Sequence, residues 1–342
     1  MEEKRVRAKK LVSKLGSVSE SMRSEAICEL RMISKQDPES RALIADAGAI
    51  PYISEFLYSP SSLCQENAAA ALLNLSISDR ESLMSTRGIL DALSHALRNP
   101  TSPSAAQSVA ATIYSLLLVE NYRSIIGSKR DILYALVDIL RPSPNSVSRT
   151  VKDALKALFG ICLYPLNRAS VIELGCVPAL FSLILKDGRV GLVEDATAVI
   201  AQVAGCEEAP DAFGKVSGIE VLIDLLDMST GSSPRTKENS VSALLNLAQC
   251  GGEKVVEHIK ESGFWLFEGI QDVAQNGQTS SKGKSKAMAL LKLLGAASSA
   301  DKDATMIMKH HHQHHDHNNN NNNNSREWSR DSWTDYCSSS SS

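Results

Sequence analysis

The sequence predicts an all-α chain, a right-handed α-solenoid followed by a disordered C-terminal tail. Three observations predict it. A short anchor phrase recurs six times at spacings of 40, 43, 44, 43 and 45 residues, within the period of helical repeat arrays. A second, apolar phrase follows each anchor by 26 to 29 residues. The 342 residues are 43% hydrophobic but only 5% aromatic, as suits a core of Leu, Ala and Ile on stacked helices.

The anchors are IADAGAIP at Gly48, MSTRGIL at Gly88, GSKRDIL with Asp131 replacing Gly, IELGCVP at Gly175, KVSGIEVL at Gly218 and KESGFWL at Gly263. Each reads as the end of a short first helix and the start of a second. Asp37 is a helix cap with Pro38 at the first helical position. A glycine such as Gly48 takes the left-handed conformation that ends a helix abruptly, and Pro51 and Pro178 suit the start of the next. The second phrases are AAAALLNLS around Asn74, AATIYSLLL around Ser115, DALKALFGI around Gly160, ATAVIAQVA around Gln202, VSALLNLAQ around Asn246 and AMALLKLLG around Lys292. Ala68, Ala71, Leu72 and Leu75 fall at helical spacing and mark a long third helix. Its apolar face can be covered only by neighbouring units, so no unit folds alone. Upstream, SEAICELRMISK repeats the second phrase without an anchor, with Arg31 at the Asn74 position.

The expected organisation is a basic N-terminal segment and capping helix over 1–23, a solenoid of one partial and six full units over 24–297, and a His/Asn/Ser-rich tail over 298–342. The tail lacks the apolar content for a core. Its His310, His311, His312, His314, His315 and His317 read as a low-complexity tract rather than a metal site, and Trp328, Trp333 and Tyr336 as a candidate docking motif.

Charge and cysteine content narrow the function classes. With 36 Lys+Arg against 39 Asp+Glu, the net charge of -3 provides no global field for nucleic acid or an anionic membrane. The longest apolar stretch, Val177 to Leu185, has nine residues, against about 20 for a bilayer span. The charged start MEEKRVRAKK lacks the apolar run of a secretory signal, so a reducing, cytoplasmic setting is expected. Lys4, Arg5, Arg7, Lys9 and Lys10 read as the polar start of the capping helix, with a nuclear signal and nuclear residence as the alternative. The seven cysteines form no C-x-x-C pair and read as small apolar core residues. Cys206 and Cys250, each four residues past the Asn-equivalent position, are assigned one shared core slot.

The pattern resembles armadillo repeats, and specifically the armadillo region of plant U-box ubiquitin ligases. SRALIADAGAIP and QENAAAALLNLS carry the resemblance in the first full unit and KENSVSALLNLA in the fifth. An Arg seven or eight residues before the anchor recurs at Arg41, Arg80, Arg123 and Arg168. The resemblance covers roughly residues 6 to 297 and implies a solenoid whose third helices line a concave wall. A U-box would carry a Cys-Pro-Ile phrase and an Asp-Pro-Val stretch over some 70 residues, and this sequence has neither phrase. No ligase chemistry is therefore expected of this chain alone.

Function is expected on the solvent face of the third helices. The candidate partner-binding residues are Asn67, Asn74, Ser115, Lys156, Gln202, Asn239, Ser242, Asn246 and Lys292, with Asp153, Asp195 and Gly160 nearby. An Asn side chain both donates and accepts, so a spaced row of them can hold the backbone of an extended peptide; the alternative is that they bond to neighbouring helices. Importin-α-type receptors place Trp four residues before the ladder Asn. Here Ala70, Ala111, Lys156, Ala198, Ser242 and Met288 stand there, which disfavours a nuclear-transport role.

Catalytic signals are absent from the array, where His95 and His258 are the only histidines and read as surface or capping residues. The run from Gly277 to Ser285 has one residue too many for a phosphate loop and reads as a flexible basic loop. The expectation is a non-catalytic protein-binding scaffold with no cofactor, metal, nucleic acid, small-molecule substrate or membrane insertion. The resemblance implies ubiquitin-pathway or receptor-kinase proteins as partners, and a ubiquitin-ligase component acting through substrate recognition or in trans as the alternative.

Overall fold

The computed structural model describes residues 1–141, 147–261 and 264–295; Gly263 and the tail histidines, tryptophans and tyrosine singled out above lie outside them. Among the described residues every regular element is a helix, and no single helix is long and apolar enough to cross a membrane.

Helix α1 (Glu2–Leu15) buries Ala8, Leu11, Val12 and Leu15 at helical spacing. It packs on α2 (Glu20–Gln36), whose cap Ser19 accepts from the Met22 amide at 3.4 Å. Lys4 pairs with Asp37 at 2.8 Å and Glu39 at 2.7 Å, and Arg7 with Glu29 at 2.7 Å. Two residues of the basic cluster thus fasten α1 to the start of the array.

Six three-helix units follow. The first is α3 (Pro38–Asp46), α4 (Ala49–Glu55) with a 3-10 turn at Phe56–Tyr58, and α5 (Ser62–Ser78). The second is α6 (Arg80–Ser85), α7 (Ile89–Arg98) and α8 (Pro103–Leu117); the third α9 (Tyr122–Gly127), α10 (Arg130–Ile139) and α11 (Ser148–Cys162). The fourth is α12 (Arg168–Glu173), α13 (Cys176–Asp187) and α14 (Val190–Val203), and the fifth α15 (Ala209–Gly214), α16 (Gly218–Asp224) and the first part of α17 (Pro234–Glu261). The rest of α17, α18 (Phe264–Gln275) and α19 (Ser281–Leu293) make the sixth. Within α17, Gly252 at φ 63, ψ -154 is non-helical, so a kink replaces the loop between units five and six.

The third helices stack in order, α2 on α5, α5 on α8, α8 on α11, α11 on α14, α14 on α17 and α17 on α19. Ala68, Ala71, Leu72 and Leu75 are buried in that stack. Asp37 Oδ1 accepts from the Glu39 amide at 3.1 Å with Pro38 in the first turn, the cap that the residue types dictate.

Gly48, Gly88 and Gly175 have φ of 78, 80 and 86, the left-handed values a sharp helix end requires. Two anchors behave differently. Asp131 lies in the first turn of α10, where the chain turns without a left-handed residue. In the fifth unit Ser217, not Gly218, takes the positive φ, at 48. A Cβ on Gly218 would lie 2.8 Å from the Phe181 ring and 3.2 Å from that of Phe213. These rings meet edge-on at 5.4 Å, so Gly218 is required for close approach and its neighbour carries the strained turn.

Two further expectations are corrected. The Lys-rich run is not a loop, because Ser280 Oγ accepts from the Gly283 amide at 3.0 Å and starts α19, which carries Lys282, Lys284 and Lys286. Cys206 and Cys250 share no core slot: Cys206 is half-buried beside Glu208 in the turn after α14, and Cys250 is exposed on α17 just before the Gly252 kink. Cys64, Cys162 and Cys176 are buried; burial pushes the Cys162 thiol up to about 12 and Cys176 well above the usual thiol range.

Candidate functional site

The wall formed by the third helices is built from two kinds of polar residue, those that join units and those that carry charge between them. The recurring arginines are joints. Arg41 Nε donates to the Ser34 carbonyl at 2.7 Å, Arg123 Nε to that of Leu117 at 3.2 Å and Arg168 Nε to that of Cys162 at 2.9 Å. Each comes from the first helix of one unit and meets the last turn of the third helix before it, where carbonyls lack helical partners and the helix dipole favours a cation. Arg168 also reaches the Gly205 carbonyl at 3.2 Å, and Arg80 Nε donates to that of Ser115 at 2.8 Å.

The Asn-equivalent row forms a seam between units. Asn246 Nδ2 donates to the Ala201 carbonyl at 2.8 Å, Asn74 Nδ2 to Ser34 Oγ at 3.1 Å, and Ser115 Oγ to the Ser76 carbonyl at 3.1 Å. Asn239 Nδ2 donates to the Glu194 carbonyl at 3.1 Å and Thr197 Oγ1 at 3.2 Å. Gln202 Oε1 accepts from Arg168 Nη2 at 3.4 Å. Asn74, Gln202, Asn239 and Asn246 are half-buried, so their amides serve the seam while presenting an edge to solvent.

Asn67, Ser115 and Ser242 are buried and do not line a solvent face. Asn67 Oδ1 accepts from Arg31 Nη1 at 2.8 Å, and Ser242 Oγ donates to the Glu238 carbonyl at 2.8 Å and accepts from Lys286 Nζ at 3.0 Å. Asn67 lies two helical turns and Ser242 one turn before the row, while Ser115 lies in it, and each is covered where adjacent third helices meet.

Lys292 leaves the row altogether. Ser233 Oγ, capping α17, donates to Glu194 at 2.6 Å; Ser280 Oγ, capping α19, donates to Glu238 at 2.6 Å. With these caps in register, Leu293 rather than Lys292 stands opposite Asn246, and Lys292 is exposed.

A charged band crosses the middle of the wall: Lys152, Asp153 and Lys156 on α11, Asp195 on α14 and Arg235 on α17. Lys156 Nζ lies 3.5 Å from Asp153, with only 10% and 14% of the two side chains exposed. Asp195 is buried, and burial raises its carboxyl to about 6 against the pull of Lys152, Arg235 and Lys156. Burial likewise raises Asp153, opposed by Lys156, Gln107 and Arg149. A Cβ on Gly191 would lie 2.8 Å from Lys152 Nζ, so the ammonium rests against the first turn of α14. Sequence reasoning reached Asp153, Lys156 and Asp195 but missed Lys152 and Arg235. The signal for Lys152 was its position one helical turn before Lys156. His95 stacks on Tyr58 with ring centroids 4.6 Å apart, and His258 Nε2 meets Glu220 at 2.9 Å, both away from this band.

Three comparisons bear on this architecture. A family model described as the plant U-box protein ARM repeat region matches residues 8–314. U-box domain-containing protein 16 of Arabidopsis thaliana is 30% identical over 300 residues, 86% of this chain and 42% of its own length. U-box domain-containing protein 4 of Oryza sativa subsp. japonica is 32% identical over 297 residues, covering 86% of this chain and 39% of its own. The chain thus spans less than half the length of either relative. Among solved structures, one engineered protein superposes with a TM-score of 0.71 at 23% identity, over 84% of this chain and 68% of its own. A second engineered protein gives 0.60 at 23% identity, over 71% and 97%. These structural likenesses are of fold.

Proposed function

The chain belongs to the plant U-box protein ARM repeat region family, and from that membership we propose that it is a non-catalytic scaffold whose third-helix wall holds an extended or helical segment of a partner protein. The observation that carries this reading is the charged band of Lys152, Asp153, Lys156, Asp195 and Arg235. Charges held half out of water have already lost part of their hydration, so a partner group of opposite sign gains more from them than from a fully solvated surface. The half-buried amides of Asn74, Gln202, Asn239 and Asn246 flank the band and supply hydrogen bonds to a peptide backbone.

The names of the relatives support ubiquitin-linked signalling as the setting, with this array selecting what a U-box ligase acts on. Ubiquitin-pathway or receptor-kinase proteins are the partner classes of this proposal, and the cytoplasm, with the nucleus, its location. The small residues Ala70, Ala111 and Ala198 in the slots where nuclear-transport receptors carry Trp speak against a basic-signal receptor.

The test compares affinity purification and quantitative mass spectrometry for the wild type, Lys152→Glu, and a control with Lys10→Glu on α1. Loss of a defined partner set in Lys152→Glu alone, with the melting curve unchanged, is the expected result. An identical set in all three samples rejects the wall as the binding surface.

A further inference from the structure

Among the described residues, the final third helix, α19, presents a face that its predecessors keep covered. On α5, α8, α11, α14 and α17 the next third helix packs in turn. On α19, Gly283, Ala287, Leu290 and Leu291 are buried, while Ser285, Met288, Ala289 and Lys292 recur at helical spacing and are exposed. Met288 is 59% exposed and Leu293, at the edge, 40%. The small Ser285 and Ala289 beside Met288 leave room for another helix to approach closely.

Charge selects the occupant. Helix α19 carries Lys282, Lys284, Lys286 and Lys292 and no acidic residue. Lys282 is exposed before the Met288–Ala289 strip along α19 and Lys292 one turn beyond Met288 on the same face. A second copy would bring lysines against lysines across a twofold axis, because a twofold interface pairs a patch with itself. We propose that this face docks an acidic amphipathic helix of a partner protein, with its apolar stripe on Met288, Ala289 and Leu293 and its carboxylates beside Lys282 and Lys292. This is the helix-on-apolar-strip mode, with rim charges setting the choice of partner. The surface is separate from the charged band and stands whether or not the band binds a peptide.

The probe is a fluorescein-labelled synthetic helix with a leucine stripe flanked by glutamates, titrated into the full chain and followed by anisotropy; a second peptide has lysines in place of the glutamates. Saturable binding of the acidic peptide is expected, about tenfold or more tighter than the basic one and weakened by salt. A Lys282→Glu, Lys292→Glu variant, changed only at exposed positions, is expected to reverse the preference. Met288→Asp weakens both peptides. Equal binding of the two peptides, or none, overturns the proposal. So does a concentration-dependent dimer by light scattering that Met288→Asp abolishes, which assigns the face to a second copy. Cosedimentation with phosphatidylserine vesicles in the absence of peptide binding assigns it to a membrane surface and likewise overturns it.

Discussion

The Ser280 hydroxyl and the Glu238 carboxylate, one unit apart, are held at 2.6 Å, and the Ser280 amide reaches the same carboxylate at 2.7 Å. The pair repeats the contact of Ser233 with Glu194, so each of these third helices begins by gripping the one before it. The Glu238 carboxylate thus ties the start of α19 to α17, beside the Lys286–Ser242 hydrogen bond and the apolar packing of the two helices.

Replacing Glu238 with Ala is expected to cost about 1 to 3 kcal/mol, the range for a hydrogen-bonded charged group whose partners lose it. Hydrogen exchange should locate the loss: amides of α19 exchange faster while those of α5 and α8 keep their protection. Uniform deprotection along the chain would refute the local role.

Arg168→Ala is expected to lower stability by about 1 to 3 kcal/mol, because the Cys162 and Gly205 carbonyls lose a shared charged donor. Arg168→Lys restores less than half of it, since one ammonium cannot span both carbonyls as the planar fork does. Chemical denaturation of the three proteins measures both steps.

Ser217→Gly and Gly218→Ala should move stability in opposite directions although the positions are adjacent. The first removes a left-handed strain of about 1 kcal/mol. The second forces a methyl against Phe181 and costs about 1 to 3 kcal/mol. Thermal melting of both variants distinguishes a glycine needed for its backbone from one needed for space.

Asp195 makes stability depend on pH. Its folded-state pKa is raised from 3.8 to about 6, so within that interval the folded chain holds a proton that the unfolded chain has released. Stability falls as pH rises through that window, and the cost is fully present above about pH 6. Asp195→Asn is expected to raise stability at pH 7 by about 1 to 3 kcal/mol and to flatten the slope between pH 4 and 6. A slope unchanged by the substitution would mean that another group titrates there.

Features set by a single residue's chemistry were legible in the sequence. Asp37 with Pro38 starts a helix, and Gly48, Gly88 and Gly175 end one, because those residue types suit those backbone positions best. The repeat fixed the units, and the recurrence of Arg41, Arg80, Arg123 and Arg168 was visible before its purpose was. Features set by rotation of one helix against another were not legible. A one-residue shift in register turns a side chain by about 100°, enough to move Lys292 from the row to the outer face and bring Leu293 into its place. Burial of Asn67, Ser115 and Ser242 has the same origin, since a polar residue between two helices reads like one beside water. Gly218 was misread because a sequence does not distinguish a glycine that bends the chain from one that makes room for a phenyl ring.

The arginine joints also say where the chain can be cut. A fragment ending at Leu117 or Cys162 stops at the last residue of a third helix but leaves behind Arg123 or Arg168, whose guanidinium closes it. The separable pieces overlap like roof tiles, each running past its own edge by the few residues that reach the next arginine. Domain dissection guided by repeat boundaries would produce frayed fragments, and dissection guided by those overlaps would produce sealed ones.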